Sequence, residues 1–334
     1  MDNQDRLRGT SRPVRALVLS GGGGRGAYEV GIAKACRERN FFFDWIVGTS
    51  IGAINATLLA QDDLPVLEDM WRRIRTNDVF TLGNPSQIRR VVFGQQLGFF
   101  DNSKLEHVLR QCVDLERLRA GESKVAFATT DLCSLQTKLI TTDDINSQDE
   151  LIDVLMASAS VPLLFPPRKL NGEGCWIDGG LVRNTPIQAA IRLGATEIYA
   201  VLVEPHIVDT CPTSLVQLVS RILEILLDHS ARSGIAHVNQ HNRMLEVRTL
   251  KLNGGSSPGD WCLLDDHLML AKEGETESDT TTAVSMTQPE RVRLFIVKPQ
   301  RQISGSLLEI DPLVSTWLMQ MGYEDIIRQC IVVS

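Results

Sequence analysis

The first sixty residues set the tightest limit on the fold. Val14–Leu19 is a short apolar run that ends at SGGGGRG (Ser20–Gly26), and Ala27–Arg39 then carries Val30, Ala33 and Lys34 at helical steps. The pattern repeats at once: FDWIV (Phe43–Val47) reads as a strand, GTSIG (Gly48–Gly52) as a turn and AINATLLA (Ala53–Ala60) as a helix. Two successive strand-loop-helix units predict an α/β fold, with helices covering a mostly parallel sheet.

The rest of the chain fills in around that start. Helices are expected at Leu64–Arg75, from a cap at Asn102 or Ser103 to about Leu118, at Gln148–Ala157 and from Pro186. Strands are expected at Val125–Thr129, Thr137–Thr141, Ile198–Val203, Leu245–Leu252 and Val292–Val297. Lys169–Gly172 followed by Cys175–Ile177 reads as a hairpin around an Asn-Gly turn. The pattern between Thr81 and Phe100 is mixed and defines no element. Ser214–Arg232 is the most apolar long segment, but Arg221, Glu224 and Asp228 interrupt it, so it is not a bilayer span. Its wide apolar face (Leu215, Leu218, Val219, Ile222, Leu223, Ile225, Leu226) either packs in the core or lines a lipid site or touches a membrane.

With 334 residues and 43% hydrophobic content the chain can bury a large core. Residues 1–13 are expected to form a flexible segment and 14–334 a single domain, with a mobile acidic insertion at about 272–290. A net charge of -7 argues against a nucleic-acid partner. The seven cysteines are scattered and never form a C-x-x-C pair, which suits thiols in a reducing compartment. The polar N-terminus lacks the apolar core of a signal peptide, so the expected location is cytoplasmic, peripheral at a membrane surface when lipid is engaged.

The glycine run supports two chemistries. Gly21, Gly23 and Gly26 have the spacing of a dinucleotide fingerprint, which needs an acid at the carboxyl end of the second strand. Asp44 lies eighteen positions after Gly26 but at the beginning of that strand, at the wrong edge of the sheet. A phosphate loop would need a lysine and a hydroxyl where Ala27 and Tyr28 stand. The alternative is a bed of backbone N–H groups, Gly21 to Gly24, for a reaction intermediate at the start of a helix. Arg25 either reinforces that field or braces the loop through a carboxylate.

GTSIG matches G-x-S-x-G, a sharp strand-to-helix turn that lifts a serine clear of the sheet, with Gly48 and Gly52 leaving room for it. A second match, Gly255–Gly259, places Pro258 after Ser257, where the backbone N–H that should face an oxyanion is missing. Context therefore selects Ser50. A carboxylate that could serve it is Asp178 in WIDGGLVRNTP, where Gly179 and Gly180 allow a tight turn; by itself Asp178 reads as a turn acid.

SGGGGRGAY (Ser20–Tyr28), GTSIGAINA (Gly48–Ala56), ASASVPLLFPP (Ala157–Pro167) and DGGLVRNTP (Asp178–Pro186) occur in the order in which the chain resembles the patatin-like phospholipase family. The resemblance implies a three-layer α/β/α sandwich and a Ser-Asp dyad without histidine. Ser50 would be the nucleophile and Asp178 the base, with the N–H groups of Gly22, Gly23 and Gly24 holding the oxyanion. It implies a lipid ester substrate, transient contact with a membrane surface, and neither a metal nor an organic cofactor. Two rival functions remain: an α/β-hydrolase triad using His206, His229, His237, His241 or His267, and a catalytically silent lipid-binding or regulatory protein that keeps the fold.

Overall fold

The computed structural model describes residues 12–95, 97–203, 211–213, 215–252, 291–301, 303 and 307–329. Residues 1–11, the 272–290 stretch, Ser257, His206 and His267 lie outside the described residues. The chain divides into two compact units, 1–238 with 292–334 and 239–291. The sheet and the site described below belong to the first.

The opening units form as expected. Strand β1 (Arg15–Leu19) runs through a 3-10 turn (Gly23–Gly26) into helix α1 (Ala27–Glu38), and β2 (Trp45–Thr49) turns at Ser50 into α2 (Ile51–Ala60). Next come α3 (Leu64–Arg73), α4 (Thr76–Val79), β3 (Thr81–Leu82), α5 (Pro85–Val92) and β4 (Phe100–Asp101). The last three supply structure where the sequence pattern was mixed: β3 and β4 pair as a short antiparallel ladder. After them follow α6 (Ser103–Cys112), α7 (Leu115–Ala120), β5 (Lys124–Asp131), β6 (Gln136–Thr141), α8 (Gln148–Ser158), β7 (Arg168–Leu170) and β8 (Glu173–Asp178). The chain then forms α9 (Gly180–Arg183), α10 (Ile187–Arg192), β9 (Glu197–Val201), α11 (Leu215–Leu252), β10 (Arg293–Val297) and α12 (Pro312–Gln329).

Two expectations are corrected. The single helix expected to reach Leu118 breaks at Val113, because the Asp114 carboxylate caps a new helix by accepting from the N–H groups of Glu116 (2.9 Å) and Arg117 (3.0 Å). Residues 245–252, expected as a strand from their alternating pattern, continue α11. Extending a helix already formed adds a hydrogen bond per residue, whereas a strand there would need a partner. The Asn-Gly hairpin forms as expected, with Asn171 (φ 52°) and Gly172 (φ 79°) both left-handed between β7 and β8.

Among the described residues the main sheet has the order β10-β9-β1-β2-β5-β8-β7, with β6 also on β5. The strands from β10 to β5 are mutually parallel, and β6, β7 and β8 pair antiparallel. Alternation along β1 feeds two cores: Leu17 and Leu19 face α1, α2, α8 and α12, while Ala16 and Val18 face α10 and Val238 of α11. The result is a three-layer α/β/α sandwich. Strand β1 lies where the order reverses, with β2 on one side and β9 on the other, so the glycine loop leaves the sheet at its topological switch point.

A buried polar network locks the two opening units together. Asn55 Nδ2 donates to the Gly26 carbonyl (3.0 Å) and to Glu29 Oε2 (2.8 Å), and Trp71 Nε1 donates to Asn55 Oδ1 (3.1 Å). Burial of Glu29 pushes its carboxyl from the ordinary 4.5 up to about 8, against the lowering by bonds from Asn55 and the Ser20 backbone. As pH rises from 4.5 toward 8 the unfolded chain loses this proton while the folded chain keeps it. Stability from this group is therefore full below about 4.5 and is lost on approaching about 8. In urea unfolding at pH 5 and pH 8, Glu29→Gln is expected to lose less stability between the two conditions than the wild type; equal losses would contradict the assignment.

Candidate active site

Sheet register brings the two key side chains together. Strand β6 holds one edge of β5 from Ala126 to Asp131, which leaves a single opposite edge for both β2 and β8. Strand β2 climbs that edge until Thr49 stands opposite Ala128; β8 descends it from the other direction until Asp178 stands opposite Thr129. Their carboxyl ends meet, and the Ser50 side chain stands beside the Asp178 carboxylate, close enough to lower its pKa.

Ser50 has φ 57° and ψ −127°, a strained conformation for a residue with a side chain. The turn is held by a bond from the Ser50 N–H to Ser158 Oγ (2.9 Å), and Ser158 Oγ donates to the Ala128 carbonyl (2.9 Å). Its flanking glycines are steric necessities: a Cβ on Gly48 would lie 2.3 Å from the Gly52 carbonyl oxygen, and one on Gly52 would lie 2.6 Å from that of Leu19.

Asp178 is only 3% exposed and accepts the Gly180 N–H at 2.7 Å. Burial raises its carboxyl from 3.8 to about 6, and the bonds from Ser50 and the Gly180 backbone hold it from rising further. Gly179 presses against β5, where a Cβ would meet the Ala128 carbonyl oxygen at 2.5 Å. The carboxylate is thus a stronger base than an exposed aspartate, and it stands beside the serine it would deprotonate.

The glycine loop lies beside this pair. Gly21 N–H donates to the Asn184 carbonyl (3.2 Å), which stitches the loop to the turn after Asp178. Gly24 N–H donates to the Leu307 carbonyl (3.2 Å), so the expectation that it serves as an oxyanion donor is revised. The N–H groups of Gly22 and Gly23 have no partner among the described residues. Gly23 is left-handed (φ 55°), and a Cβ there would lie 1.9 Å from the Leu307 carbonyl oxygen. Gly26 begins α1 against Ile51. The open question about Arg25 resolves toward bracing, because its guanidinium forms a buried ion pair with Glu224 of α11.

An apolar cavity opens from Ser50, Asp178 and Gly21–Gly24. Its walls include Ile54, Trp71, Phe80, Leu109, Phe165, Leu223 and Leu227, and Phe80 stacks edge-on against Phe165 at 5.3 Å. Leu223 and Leu227 line the cavity, whereas Leu218, Ile222, Ile225 and Leu226 are exposed. Sequence reasoning missed Ser158, Asn184 and nearly all of these walls. The first two sit inside the ASASVP and DGGLVRNTP blocks, which was the available signal; the walls come from scattered segments and carried none. Among the described residues no histidine lines the cavity, and His229 and His237 are exposed on α11.

Because the serine hydroxyl lowers the Asp178 value, Ser50→Ala is expected to raise that carboxyl above about 6. A carboxyl-carbon NMR titration of both proteins checks it. A wild-type Asp178 that titrates near 3.8 would contradict the buried pair.

The family model for patatin-like phospholipase matches residues 17–191, just over half of the chain. The chain is 30% identical over 191 residues to patatin-like phospholipase domain-containing protein 7 of Rattus norvegicus, covering 56% of this chain and 13% of that protein. It is 29% identical over 200 residues to lysophospholipase NTE1 of Lodderomyces elongisporus, covering 57% of this chain and 12% of that protein. The chain thus spans about an eighth of the length of these relatives. Among solved structures it is similar to VipD from Legionella pneumophila with a TM-score of 0.41 and 12% identity, covering 95% of this chain and 67% of that one. With the family match spanning β1, the glycine loop, Ser50 and Asp178, the chain belongs to the patatin-like phospholipase family.

Proposed function

We propose that this protein is a lipid acyl hydrolase that cleaves carboxylic esters of membrane lipids through Ser50 and Asp178. The observation that carries the reading is the juxtaposition of Ser50 with the buried Asp178 carboxylate at the mouth of an apolar cavity able to take an acyl chain. Membership of a phospholipase family gives independent support.

In the reaction, Ser50 Oγ attacks the ester carbonyl carbon while its proton passes to the Asp178 carboxylate. The negative charge that develops on the carbonyl oxygen is held by the N–H groups of Gly22 and Gly23, at the positive end of α1. Collapse of the tetrahedral intermediate expels the alcohol, which takes the proton from Asp178 and leaves an acyl-serine. Water then attacks the acyl group, giving its proton to Asp178. The second collapse releases the fatty acid and returns the proton to Ser50. A carboxylate is a weak base toward a hydroxyl, so desolvation of Asp178 and the fixed amide donors both carry weight. The exposed apolar residues of α11, beside the ones that line the cavity, suit transient contact with the lipid surface that supplies the substrate.

Lipid profiling by mass spectrometry on mixed membranes tests the reading. Ser50→Ala is expected to abolish fatty-acid release, and Asp178→Asn to slow it by about 10²- to 10⁴-fold, the usual worth of a positioned base. Release by both variants at the wild-type rate would refute the dyad. Since Asp178 must be ionised to act, kcat/KM for the wild type is expected to rise with pH through about 6 and then level off. A loss of turnover on replacing His229, His237 or His241, with the fold intact, would favour a triad instead.

A further inference from the structure

We infer that Glu224 is a positioning residue for the oxyanion donors: through its buried pair with Arg25 it holds the glycine loop in the shape that leaves the Gly22 and Gly23 amides open. This rests on the proposed Ser50–Asp178 hydrolase and names the part of the fold that sets its electrostatics.

The glycine loop cannot define its own shape. It has few side chains to pack, its 3-10 turn has no side-chain cap, and glycine backbones lose the most freedom on ordering. Its anchors come from outside. One of them reaches the loop through the Arg25 guanidinium, whose side chain is 3% exposed and faces a Glu224 carboxylate that is 5% exposed. The second oxygen of Glu224 takes Arg221, so the carboxylate is held from two sides and cannot swing away. Charge-assisted bonds of this kind are stronger than neutral ones.

The position of Glu224 on α11 makes the pair more than a fold brace. Leu223 and Leu227, in the same stretch of helix, line the acyl cavity. Further along, Ser230 Oγ accepts the Asn184 N–H (2.6 Å) and donates to the Val182 carbonyl (2.9 Å), gripping the turn that follows Asp178. One helix therefore reaches the oxyanion loop through Glu224, the base through Ser230 and the acyl chain through its leucines. A shift of α11 would change all three together.

The test is steady-state hydrolysis of a short-chain soluble ester, with fluorophosphonate labelling of Ser50 in parallel. Labelling of the wild type checks the parent reading, and its absence would sink that reading apart from the positioning role. Glu224→Gln is expected to lower kcat by about 10- to 100-fold, as a small misplacement of catalytic groups does, with KM within about twofold of wild type. The apparent pKa of about 6 is expected to stay, because Asp178 keeps its own partners. Arg25→Lys, which preserves the cation, is expected to retain most of kcat. Should Glu224→Gln fail to fold, the double variant Arg25→Met with Glu224→Leu removes both buried charges together and takes from Arg221, itself a third exposed, only its contact with Glu224; it too is expected to lose kcat. A double variant, or a folded Glu224→Gln, that turns over and labels as fast as wild type would overturn the proposal. So would a fall in kcat matched by the same fall in Arg25→Lys.

Discussion

Everything at the site depends on two strands sharing one edge of β5. A strand has only two hydrogen-bonding edges, and β6 takes one of them along most of β5. Strand β2 must stop at Ala128 and β8 at Thr129, because neither can pass the other. Collision of the two ends forces a turn at each. The first is the strained turn at Ser50, which passes into α2; the second is the Asp-Gly-Gly turn into α9. Ser50 and Asp178 are thus brought together by backbone hydrogen bonding from residues 128 positions apart in the chain, before any contact between their side chains is considered. Backbone ladders are rigid, so the two side chains are held beside one another without help from flexible loops.

Packing around that junction then sets its chemistry. The apolar walls that would receive an acyl chain are also what strips water from Asp178 and raises its basicity. The same burial acts with a different outcome at Glu29, which becomes a neutral acid tying α1 to α2 beneath the glycine loop. The contrast is in the partners. Asp178 accepts the Gly180 amide and has Ser50 beside it, both favouring the ionised form, whereas one oxygen of Glu29 is buried with no partner among the described residues. Arg25 and Glu224 form a third buried charge system, paired so that the cation in the glycine loop is neutralised by α11.

Much of this was legible in the sequence because it is local. A strand, a glycine-rich turn and a helix appear as a change of periodicity within a dozen residues, and so do GTSIG and the Asn-Gly hairpin. Helix boundaries were less secure where a competing cap intervened: Asp114 splits what periodicity joined. The 245–252 stretch alternates like a strand, yet the helix before it extends through it. The glycine loop shows the limit most clearly. Its composition announced exposed amides, but which of them stay open depends on Leu307, far along the chain, whose carbonyl takes the amide of Gly24.

The amino-acid sequence by itself therefore determined the layered α/β class, the two turn motifs and the candidate pair Ser50 and Asp178, since each is written in residues close together or in blocks of distinctive composition. Only the tertiary structure decided that Asp178 is buried beside Ser50, that Gly22 and Gly23 are the amides with no partner among the described residues, that Arg25 braces rather than faces the site, and that α11 is a cavity wall on one side and an apolar surface on the other. These properties arise from burial and from contacts between segments far apart in the chain. Neither has a local signature, because desolvation and long-range hydrogen bonding exist only once the layers have closed around the sheet.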